Sequence, residues 1–324
     1  MKNLIIIGAG QIGSRHLQGL AKLDGNFNIS VIDPSKESLR VAKDRFFQVA
    51  RADNLCEVSF QTDIPDLNGL DLAIIATSSK IRKKVITDLL LKSVPKYFIL
   101  EKVAFQNLKD FEEINSIFFK KNIKAWVNCP NRVFDSYRKL KSKIGQEGPI
   151  SLRVTGGNWG LASNAIHYID LFAFLTETIN MQITQSKIDS KIYSSKRKGF
   201  YELGGELKIE SSNKDVLILE DCKSSDDPVV LSIDTPSFEM EINESLQELR
   251  IREKLEANKE YNTSFELTNQ STLTTEIVSS ILSEGESDLI DLENSYRLHA
   301  VFIPFFISKI NEISKDSIKY CPIT

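Results

Sequence analysis

The chain has 324 residues, of which 41% are hydrophobic and 26% charged, with a formal net charge of −3. This length predicts one large or two medium domains with a core that needs no disulfide or metal staple. The small negative charge excludes a global basic field that would recruit nucleic acid or anionic membranes. The four cysteines lie far apart and form no Cys-x-x-Cys pair, which argues against zinc and disulfides and favours a reducing compartment.

No targeting or membrane-spanning segment is predicted. The apolar run Leu4–Ile7 is too short for a secretory signal and ends in a glycine loop. The later apolar stretch Phe302–Ile307 is far too short to span a bilayer. We therefore expect a cytoplasmic protein with no nucleic-acid or membrane partner and no bound metal.

The first third of the chain alternates strand-like and helix-like segments, which is typical of a parallel doubly wound sheet. The predicted strands are Leu4–Ile7, Ile29–Ile32, Leu72–Thr77, Tyr97–Leu100 and Ala125–Asn128, with shorter strand material at Phe47–Val49 and Val58–Phe60. The predicted helices run from a Ser35 cap to about Arg45, from a Ser79 cap through Ile81, Val85, Leu89 and Leu90, and through Phe111, Ile114, Ile117 and Phe118. The basic run Lys80, Arg82, Lys83 and Lys84 is interpreted as a solvated helix face. These elements predict a Rossmann domain over residues 1–122.

Residues 123–324 have a different character. The period-two strands are Ser151–Thr155, Glu206–Glu210, Val216–Leu219, Val229–Ile233 and Phe238–Ile242. The predicted helices are Ser136–Ile144, Ala162–Leu175 and Leu289–Ile313. The charged segment Glu244–Lys259 fits either a helix or a flap. The pattern predicts an α+β domain with helices on one side of a sheet.

A Gly-x-Gly-x-x-Gly loop follows the first strand as Gly8, Ala9, Gly10, Gln11, Ile12 and Gly13. Gly8 permits the tight turn, Gly10 lets a pyrophosphate approach the backbone, and Gly13 lets the helix pack close to the sheet. The first N–H groups of the helix can then bind phosphate. Asp33 closes the second strand, where a carboxylate would accept hydrogen bonds from the ribose hydroxyls. Strand, spacing and acid together predict dinucleotide binding.

The identity of that dinucleotide depends on the same acid. The Asp33 carboxylate would repel a 2′-phosphate, so NAD is favoured over NADP as the cofactor. Lys36 or Arg40 lies close enough in sequence to serve a phosphate instead.

Two polar clusters are expected at the carboxyl edge of the sheet, where ligands of such folds bind. Thr77 and Ser78 end one predicted strand, and Glu101 and Lys102 end the next. A lysine there can hydrogen-bond a substrate hydroxyl and, if partly desolvated, help to move a proton. Taken alone, Lys102 is better explained as a surface lysine that follows a strand.

A third cluster shares one face of the predicted helix 162–175 and consists of Ser163, Asn164, His167 and Asp170. A histidine so placed suits acid–base work near neutral pH, and Asp170 could fix its tautomer. The alternative, a histidine packed among apolar neighbours, is slightly favoured by the residues alone. Upstream, Trp159 and the pair Gly156-Gly157 indicate either a loop close to a ligand or a turn around a core tryptophan. His16 is assigned a structural role.

Together these motifs resemble the glucose–fructose oxidoreductase/inositol dehydrogenase (Gfo/Idh/MocA) family over most of the chain. The segments that carry the resemblance are the glycine loop through His16, Glu101-Lys102-Val103, Asn131-Arg132, and His167–Leu171. The resemblance implies a Rossmann domain followed, over residues 123–324, by an α+β domain with a large, mostly antiparallel open sheet. Family members usually associate through that open face, so a homodimer or homotetramer is expected.

The resemblance also implies a chemistry. A hydride would pass between NAD(P) and a carbinol or ketone carbon of a sugar, inositol or sugar nucleotide. His167 would act as general base, Lys102 would orient the reacting oxygen, and Asp170 would orient the base. The corresponding cofactor-binding residues are Gly8, Gly10, Gln11, Ile12, Gly13, Asp33, Thr77, Ser78, Glu101 and Lys102. The corresponding substrate-binding residues are Asn131, Arg132, Trp159, Ser163 and Asn164.

Two departures from the family pattern stand out. Val103 replaces a proline that helps to shape the nicotinamide site, and Ser163 replaces an aspartate four residues before the histidine. They indicate a divergent subfamily or a weakened active site. Trp159-Gly160-Leu161 resembles variants that make surface polysaccharides. The alternatives are a non-catalytic NAD-binding sensor or subunit, and an imine or amino-acid-precursor reductase with Arg132 as its carboxylate-binding group.

Overall fold

The computed structural model describes residues 1–49, 56–67, 69–145, 147–255 and 259–324. They divide into two compact units. Unit one comprises Met1–Phe105, Lys109–Asn128 and Thr268–Glu293, and unit two comprises Gln106–Leu108, Cys129–Leu267 and Asn294–Thr324. This division differs from the predicted boundary at residue 122, because a later segment of the chain returns to the first unit.

The elements up to the first sheet's last parallel strand alternate as predicted. They are β1 (Lys2–Ile7), α1 (Gln11–Leu20), β2 (Phe27–Ile32), α2 (Lys36–Phe47), β3 (Cys56–Gln61), β4 (Leu72–Ile75), α3 (Ser79–Lys92), β5 (Tyr97–Glu101), α4 (Leu108–Lys120) and β6 (Lys124–Asn128). The Ser35 hydroxyl caps α2 by accepting from the Ser38 N–H at 3.2 Å, as expected. Ser78, rather than Ser79, is the residue that precedes α3.

The remaining elements belong mostly to unit two. They are α5 (Asp135–Ile144), β7 (Ser151–Gly157), α6 (Leu161–Thr176), β8 (Met181–Ile188), β9 (Tyr193–Ser194), β10 (Tyr201–Glu202), β11 (Gly205–Ser211), β12 (Val216–Cys222), β13 (Val230–Asp234), β14 (Phe238–Asn243), β15 (Glu248–Glu253), β16 (Lys259–Ser264), α7 (Gln270–Glu284), β17 (Ile290–Asp291) and α8 (Leu292–Ser314). A 3-10 turn, Pro130–Val133, precedes α5.

The sheet of unit one has the order β17-β6-β5-β4-β1-β2-β3 among the described strands. All its pairings are parallel except that β17 runs antiparallel to β6. Strands β1 and β4 read as continuous apolar runs because both of their faces are buried. Helix α7 packs against α1, where a Cβ at Gly19 would lie 2.5 Å from the Ser271 carbonyl oxygen.

The sheet of unit two has the order β16-β15-β14-β13-β7-β12-β11-β8 in the described part of the chain. Only the β7–β12 pairing is parallel among these strands, and the others are antiparallel. Inward-facing apolar residues alternate with outward polar ones along β11, β12 and β13. The predicted fold class, a Rossmann domain with a mostly antiparallel α+β domain, is therefore confirmed.

Cross-strand ion pairs cover the outward face of this second sheet. Arg250 lies 3.5 Å from Glu241, Arg153 lies 2.8 Å from Glu220, and Arg252 pairs with Glu239. Arg250 and Arg252 lie directly opposite Glu241 and Glu239 in the antiparallel β14–β15 pairing, where opposite charges stabilise a sheet modestly.

Several local predictions are wrong. Phe47 ends helix α2 instead of starting a strand, and the loop expected beyond Val49 lies outside the described residues up to residue 55. The segment Glu244–Lys259 forms a turn and strand β15. Residues 256–258 of this segment lie outside the described residues. The last helix begins at Leu292, because Ile290–Asp291 forms β17. Helix α7 and strands β8 and β16 were not expected.

The buried face of α3 also differs from the prediction. Ser79, Arg82, Ile86 and Leu89 are buried there, whereas Ile81 is exposed. Arg82 is therefore not part of a solvated basic face. Among the described helices, none is both long and apolar enough to cross a membrane.

Candidate functional site

The glycine loop joins β1 to α1 under tight steric limits. Gly8 has φ +102°, and a Cβ on it would lie 2.7 Å from the Ala76 carbonyl carbon. A Cβ on Gly13 would lie 1.8 Å from the Gly8 carbonyl oxygen. At Gly10, by contrast, a Cβ would meet no described atom within 4 Å. The first and third glycines are thus required by packing, and the second faces open space.

The start of α1 suits an anion. Gly10 precedes the helix without a side-chain cap among the described residues, and its first turn, beginning with Gln11 and Ile12, contains no acid. Its first N–H groups and the helix dipole therefore favour a phosphate group. A buried polar atom lies at the end of the neighbouring strand, where the Thr77 hydroxyl has no hydrogen-bond partner among the described residues. The open glycine, the helix start and this hydroxyl fit a dinucleotide.

Asp33 lies against the loop. Its Oδ2 accepts from the Ala9 N–H and its Oδ1 from the Ser35 N–H, both at 2.8 Å. These bonds fix the carboxylate beside the glycine loop, where a ribose would meet it. Arg40, considered above for a 2′-phosphate, is paired within α2 with Glu37 at 2.7 Å and Asp44 at 3.0 Å. Lys36 is exposed at the start of the same helix.

Glu101 is buried at the end of β5 and belongs to a hydrogen-bonded network. It accepts from His16 Nε2 at 2.9 Å and from Asn128 Nδ2 at 2.6 Å. The other ring nitrogen of His16 lies 2.8 Å from the Thr274 hydroxyl. Burial alone would raise the pKa of Glu101, but His16, Asn128 and the charge of Arg82 outweigh burial and lower it. The lowered pKa favours the ionised carboxylate, and its hydrogen bonds anchor the strand end from which Lys102 follows.

The residues after β5 are held by a buried arginine. Arg82 donates to the carbonyl oxygens of Glu101, Val103 and Ala104, the last at 2.9 Å. It also donates to the Thr77 carbonyl oxygen. Lys102, which is partly exposed, lies inside the stretch that Arg82 binds. The Lys102–Val103 peptide bond is cis.

In unit two, the start of α6 is occupied by carboxylates from the sheet. Asp221 accepts from the N–H groups of Gly160 and Leu161, both at 2.9 Å. Glu202 accepts from the N–H groups of Ala162 and Ser163 at 3.0 and 3.3 Å. The first N–H groups of the helix are therefore satisfied by protein carboxylates.

Glu202 lies against Ser163, the residue at which the family pattern has an aspartate. Ser163, the residue found in place of that aspartate, hydrogen-bonds Glu202 through its side chain and its N–H. Burial raises the pKa of Glu202, against the opposing effects of Ser163 and the charge of Lys223. Lys223 itself donates to Asp221 at 2.6 Å. A strand residue thus brings a carboxyl group to the start of this helix.

Asp170 is fully buried on α6 and is paired with an arginine. Its Oδ2 accepts from Arg132 Nε at 2.9 Å, and its Oδ1 has no partner among the described residues. Burial raises the pKa of Asp170 to about 6, although the Arg132 charge and hydrogen bond oppose that rise. The role expected for Asp170 as an orienter of His167 stays a prediction. Arg132, expected to bind substrate, binds this internal carboxylate.

The other predicted residues of α6 lie as follows. His167 and Asn164 are partly exposed, and Ser163 is buried. Asn164 Nδ2 donates to the Trp159 carbonyl oxygen at 2.6 Å. The Trp159 indole donates to the Glu220 carbonyl oxygen at 2.8 Å and stacks edge-on against Tyr168. Asn131 is buried in the turn before α5.

The glycine pair before Trp159 has a packing role. A Cβ on Gly157 would lie 2.0 Å from the Ser225 carbonyl oxygen. The pair therefore permits close approach of the chain around residues 225–229.

Three residues that the sequence reasoning missed stand out. Asp221 continues the inward period-two pattern of Leu217 and Leu219, so an acid in phase with core residues was the available signal. Glu202 lies in a two-residue strand that carried no periodic signal. Arg82 was hidden by its lysine neighbours.

Comparison with known proteins agrees with this architecture. A TrkA-N domain family model matches residues 4–114, which lie in unit one except for residues 106–108. An oxidoreductase from Agrobacterium radiobacter, solved with NAD+, L-tartaric acid and magnesium, is 14% identical, covers 93% of this chain and 94% of its own, and has a TM-score of 0.71. The chain shares the two-domain fold of the Gfo/Idh/MocA oxidoreductases.

Two further structures have the same fold at similarly low identity. UDP-N-acetylglucosamine 3-dehydrogenase GnnA from Acidithiobacillus ferrooxidans is 12% identical over 98% of both chains, with a TM-score of 0.69. A 3-ketoreductase from Actinomadura kijaniata, solved with NADP, is 12% identical over 94% of this chain and 96% of its own, with a TM-score of 0.71. A sequence search of curated proteins gives no significant match.

Proposed function

We propose that this protein is an NAD-dependent oxidoreductase that transfers a hydride to or from a carbinol or ketone carbon of a sugar, inositol or sugar nucleotide. The observation that carries the proposal is the glycine loop, with open space at Gly10 and Asp33 fixed beside it. The structures that share the fold include a sugar-nucleotide dehydrogenase and a ketoreductase, which supports this substrate class.

The chain's own residues would hold the dinucleotide. The helix start at Gly10, Gln11 and Ile12 binds the pyrophosphate, and Asp33 accepts from the ribose hydroxyls. A carboxylate held in that place by two N–H groups disfavours a 2′-phosphate, so the preferred cofactor is NAD. Thr77, Ser78 and Lys102 lie at the strand ends that would face the nicotinamide.

The reaction also needs a group that moves a proton. A bound nicotinamide supplies the hydride donor or acceptor. On the family resemblance, we assign to His167 the uptake of the hydroxyl proton in the oxidative direction and to Lys102 a hydrogen bond to the substrate oxygen. In the reductive direction, His167 returns the proton to the new alkoxide. Asn164, whose amide is fixed by Trp159, offers a further contact for a substrate hydroxyl.

The first experiment is a fluorescence titration with NADH and, separately, NADPH, on the wild type and Asp33→Ala. We expect NADH to bind tighter than NADPH, and Asp33→Ala to weaken NADH binding by about 10-fold or more, the effect of losing a charged hydrogen bond. Equal affinity for the two nucleotides in the wild type would contradict the NAD assignment. Failure to bind either would contradict the enzyme proposal.

The second experiment screens NAD reduction with sugar nucleotides and compares Lys102→Ala and His167→Asn with the wild type. Both variants should lose turnover and keep NADH binding. Lys109→Ala, a substitution of an exposed lysine on α4, is the matched control and should keep full activity. Full activity of the Lys102 and His167 variants would contradict the assigned roles.

Two alternatives are outcomes of the same experiments. NADH binding without turnover of any sugar would favour a non-catalytic sensor or subunit. Turnover of an imino acid would favour the imine-reductase alternative, which requires Arg132 to bind a substrate carboxylate. Since the Arg132 Nε already binds Asp170, we consider that alternative the weaker one.

We also propose that the protein forms a homodimer or homotetramer through the open face of the second sheet, works in the cytoplasm, and supplies a surface-polysaccharide sugar. The support is the family resemblance and the spacing of the cysteines. Light scattering coupled to gel filtration tests the assembly, and a single-chain mass would contradict it.

A further inference from the structure

Arg82 is the least expected residue of unit one. It lies in a run of basic residues on α3, yet it is 1% exposed, while Lys80 and Lys84 of the same run are exposed. Its guanidinium donates to the carbonyl oxygens of Thr77, Glu101, Val103 and Ala104, with the Val103 bond at 2.5 Å. It thus ties the end of β4 to the residues that follow β5.

Packing alone does not explain a buried arginine at this position. A buried charge is costly unless several hydrogen bonds compensate it, and an apolar side chain of similar size would fill the space. The guanidinium offers five N–H donors in a fixed plane, which a lysine cannot reproduce. Three of the four backbone carbonyls that Arg82 binds belong to residues 101–104, around Lys102.

Residue 103 bears on this restraint of the backbone. A proline would fix its own φ near −65°, but Val103 has no such ring. Residue 103 therefore adds no ring restraint of its own to this backbone. Hydrogen bonds from Arg82 to the carbonyls on both sides of Lys102 do restrain it.

We propose that Arg82 is a positioning residue, which fixes the backbone on both sides of Lys102 and so sets where the lysine amine lies for hydride transfer. This inference rests on the proposed function for its catalytic consequence. Its structural part, that Arg82 restrains Lys102, stands independently.

The structural part is tested by the labelling rate of Lys102. Wild type, Arg82→Ala, Arg82→Lys and the control Lys84→Ala are treated with limiting acetic anhydride, and acetylation at Lys102 is measured by peptide mass spectrometry. We expect Lys102 to be labelled several-fold faster in both Arg82 variants, because freeing the carbonyls loosens the segment locally. Lys84→Ala removes an exposed lysine paired with Asp88 and should leave the rate unchanged.

Thermal denaturation identifies which variants are folded. If Arg82→Ala does not fold, the test uses Arg82→Lys, because lysine keeps the charge and most of the aliphatic side chain. Guanidinium chloride at low millimolar concentration should restore slow labelling in Arg82→Ala, whereas sodium chloride at equal ionic strength should not. Wild-type labelling of Lys102 in a folded Arg82 variant would overturn the proposal.

Turnover separates this inference from the proposed function. With any sugar nucleotide that the wild type oxidises, Arg82→Lys should lower kcat by about 10²-fold, the cost of misplacing a reacting group by about 1 Å, with a smaller change in the KM for NAD. An unchanged kcat despite faster Lys102 labelling would overturn the positioning role. If the wild type oxidises no substrate, the proposed function fails, while the labelling result still decides whether Arg82 restrains Lys102.

Discussion

The starts of α1 and α6 are both strand-to-helix junctions that present a helix's first N–H groups to an anion. At α1, side chains of the described residues leave those groups uncapped and Gly10 faces open space. At α6, Asp221 and Glu202 fill the same groups with carboxylates from the sheet. One junction therefore leaves its first N–H groups open to an anion, and the other is closed by the protein itself.

The comparison shows when a helix junction can be predicted from local sequence. The α1 junction is made by contiguous residues, so the spacing of its glycines predicts its geometry directly. The α6 junction depends on residues about 40 and 60 positions away, which no local pattern connects.

The largest effect is expected at the α1 junction. Gly13→Ala should abolish folding or NADH binding, because its Cβ would lie 1.8 Å from the Gly8 carbonyl oxygen. Gly10→Ala meets no described atom within 4 Å, so it should keep the wild-type melting temperature and lose NADH binding. Melting curves and NADH titrations measure both effects. Wild-type NADH affinity in Gly10→Ala would mean that the loop does not hold the pyrophosphate.

The next effect concerns the buried pair of unit two. Arg132→Ala leaves the Asp170 carboxylate buried beside no cation, which should cost about 3–5 kcal/mol of unfolding free energy. Replacing both partners, as Arg132→Met with Asp170→Leu, should cost less than Arg132→Ala alone. Urea denaturation compares the three proteins. An equal loss in the double variant would show that the pair is not the source of the effect.

Elements that depend on local sequence were predicted, whereas contacts between distant residues were not. Buried parallel strands such as β1 and β4 are continuous apolar runs, so they were predicted with few errors. The pairing of Arg132 with Asp170 joins residues 38 positions apart and changes the interpretation of both. Strand β15 was ambiguous because its outward positions are Glu248, Arg250 and Arg252, whose charges resemble a helix surface. The Asn269 cap and Gly285 mark the two ends of helix α7, but the helical spacing of its apolar residues is too weak to predict a helix.

Asp170 also predicts how stability depends on pH. Its pKa is raised to about 6 when folded, so the folded state holds this proton more tightly than the unfolded state. Its contribution is therefore most favourable below the unfolded pKa near 4 and is lost as the pH rises through 6. Relative to Asp170→Asn, the wild type should lose about 2.5 kcal/mol between pH 4 and pH 7. A relative gain with rising pH would mean that the Arg132 charge outweighs burial.

A smaller effect tests whether Glu202 occupies the space that an aspartate at residue 163 would need. Ser163→Asp introduces the aspartate of the family pattern and sets a second carboxylate against Glu202, whose Oε2 lies 3.3 Å from the Ser163 N–H. The variant should be destabilised by on the order of 2 kcal/mol through like-charge repulsion. Adding Glu202→Gln should recover most of that loss. If the double variant is no more stable than Ser163→Asp, the two carboxyl groups do not compete for the same place.

The smallest effect is expected on the outward face of the second sheet. Arg250 pairs with Glu241 at 3.5 Å and with Glu260 at 3.8 Å, and about half of each side chain is exposed. Arg250→Gln should therefore cost less than about 1 kcal/mol, in contrast to Arg132→Ala, and the cost should shrink in high salt. Melting curves at two protein concentrations add a second reading. A cost that grows with protein concentration would mean that Arg250 is buried against another copy, because only an assembled face would remove this arginine from solvent.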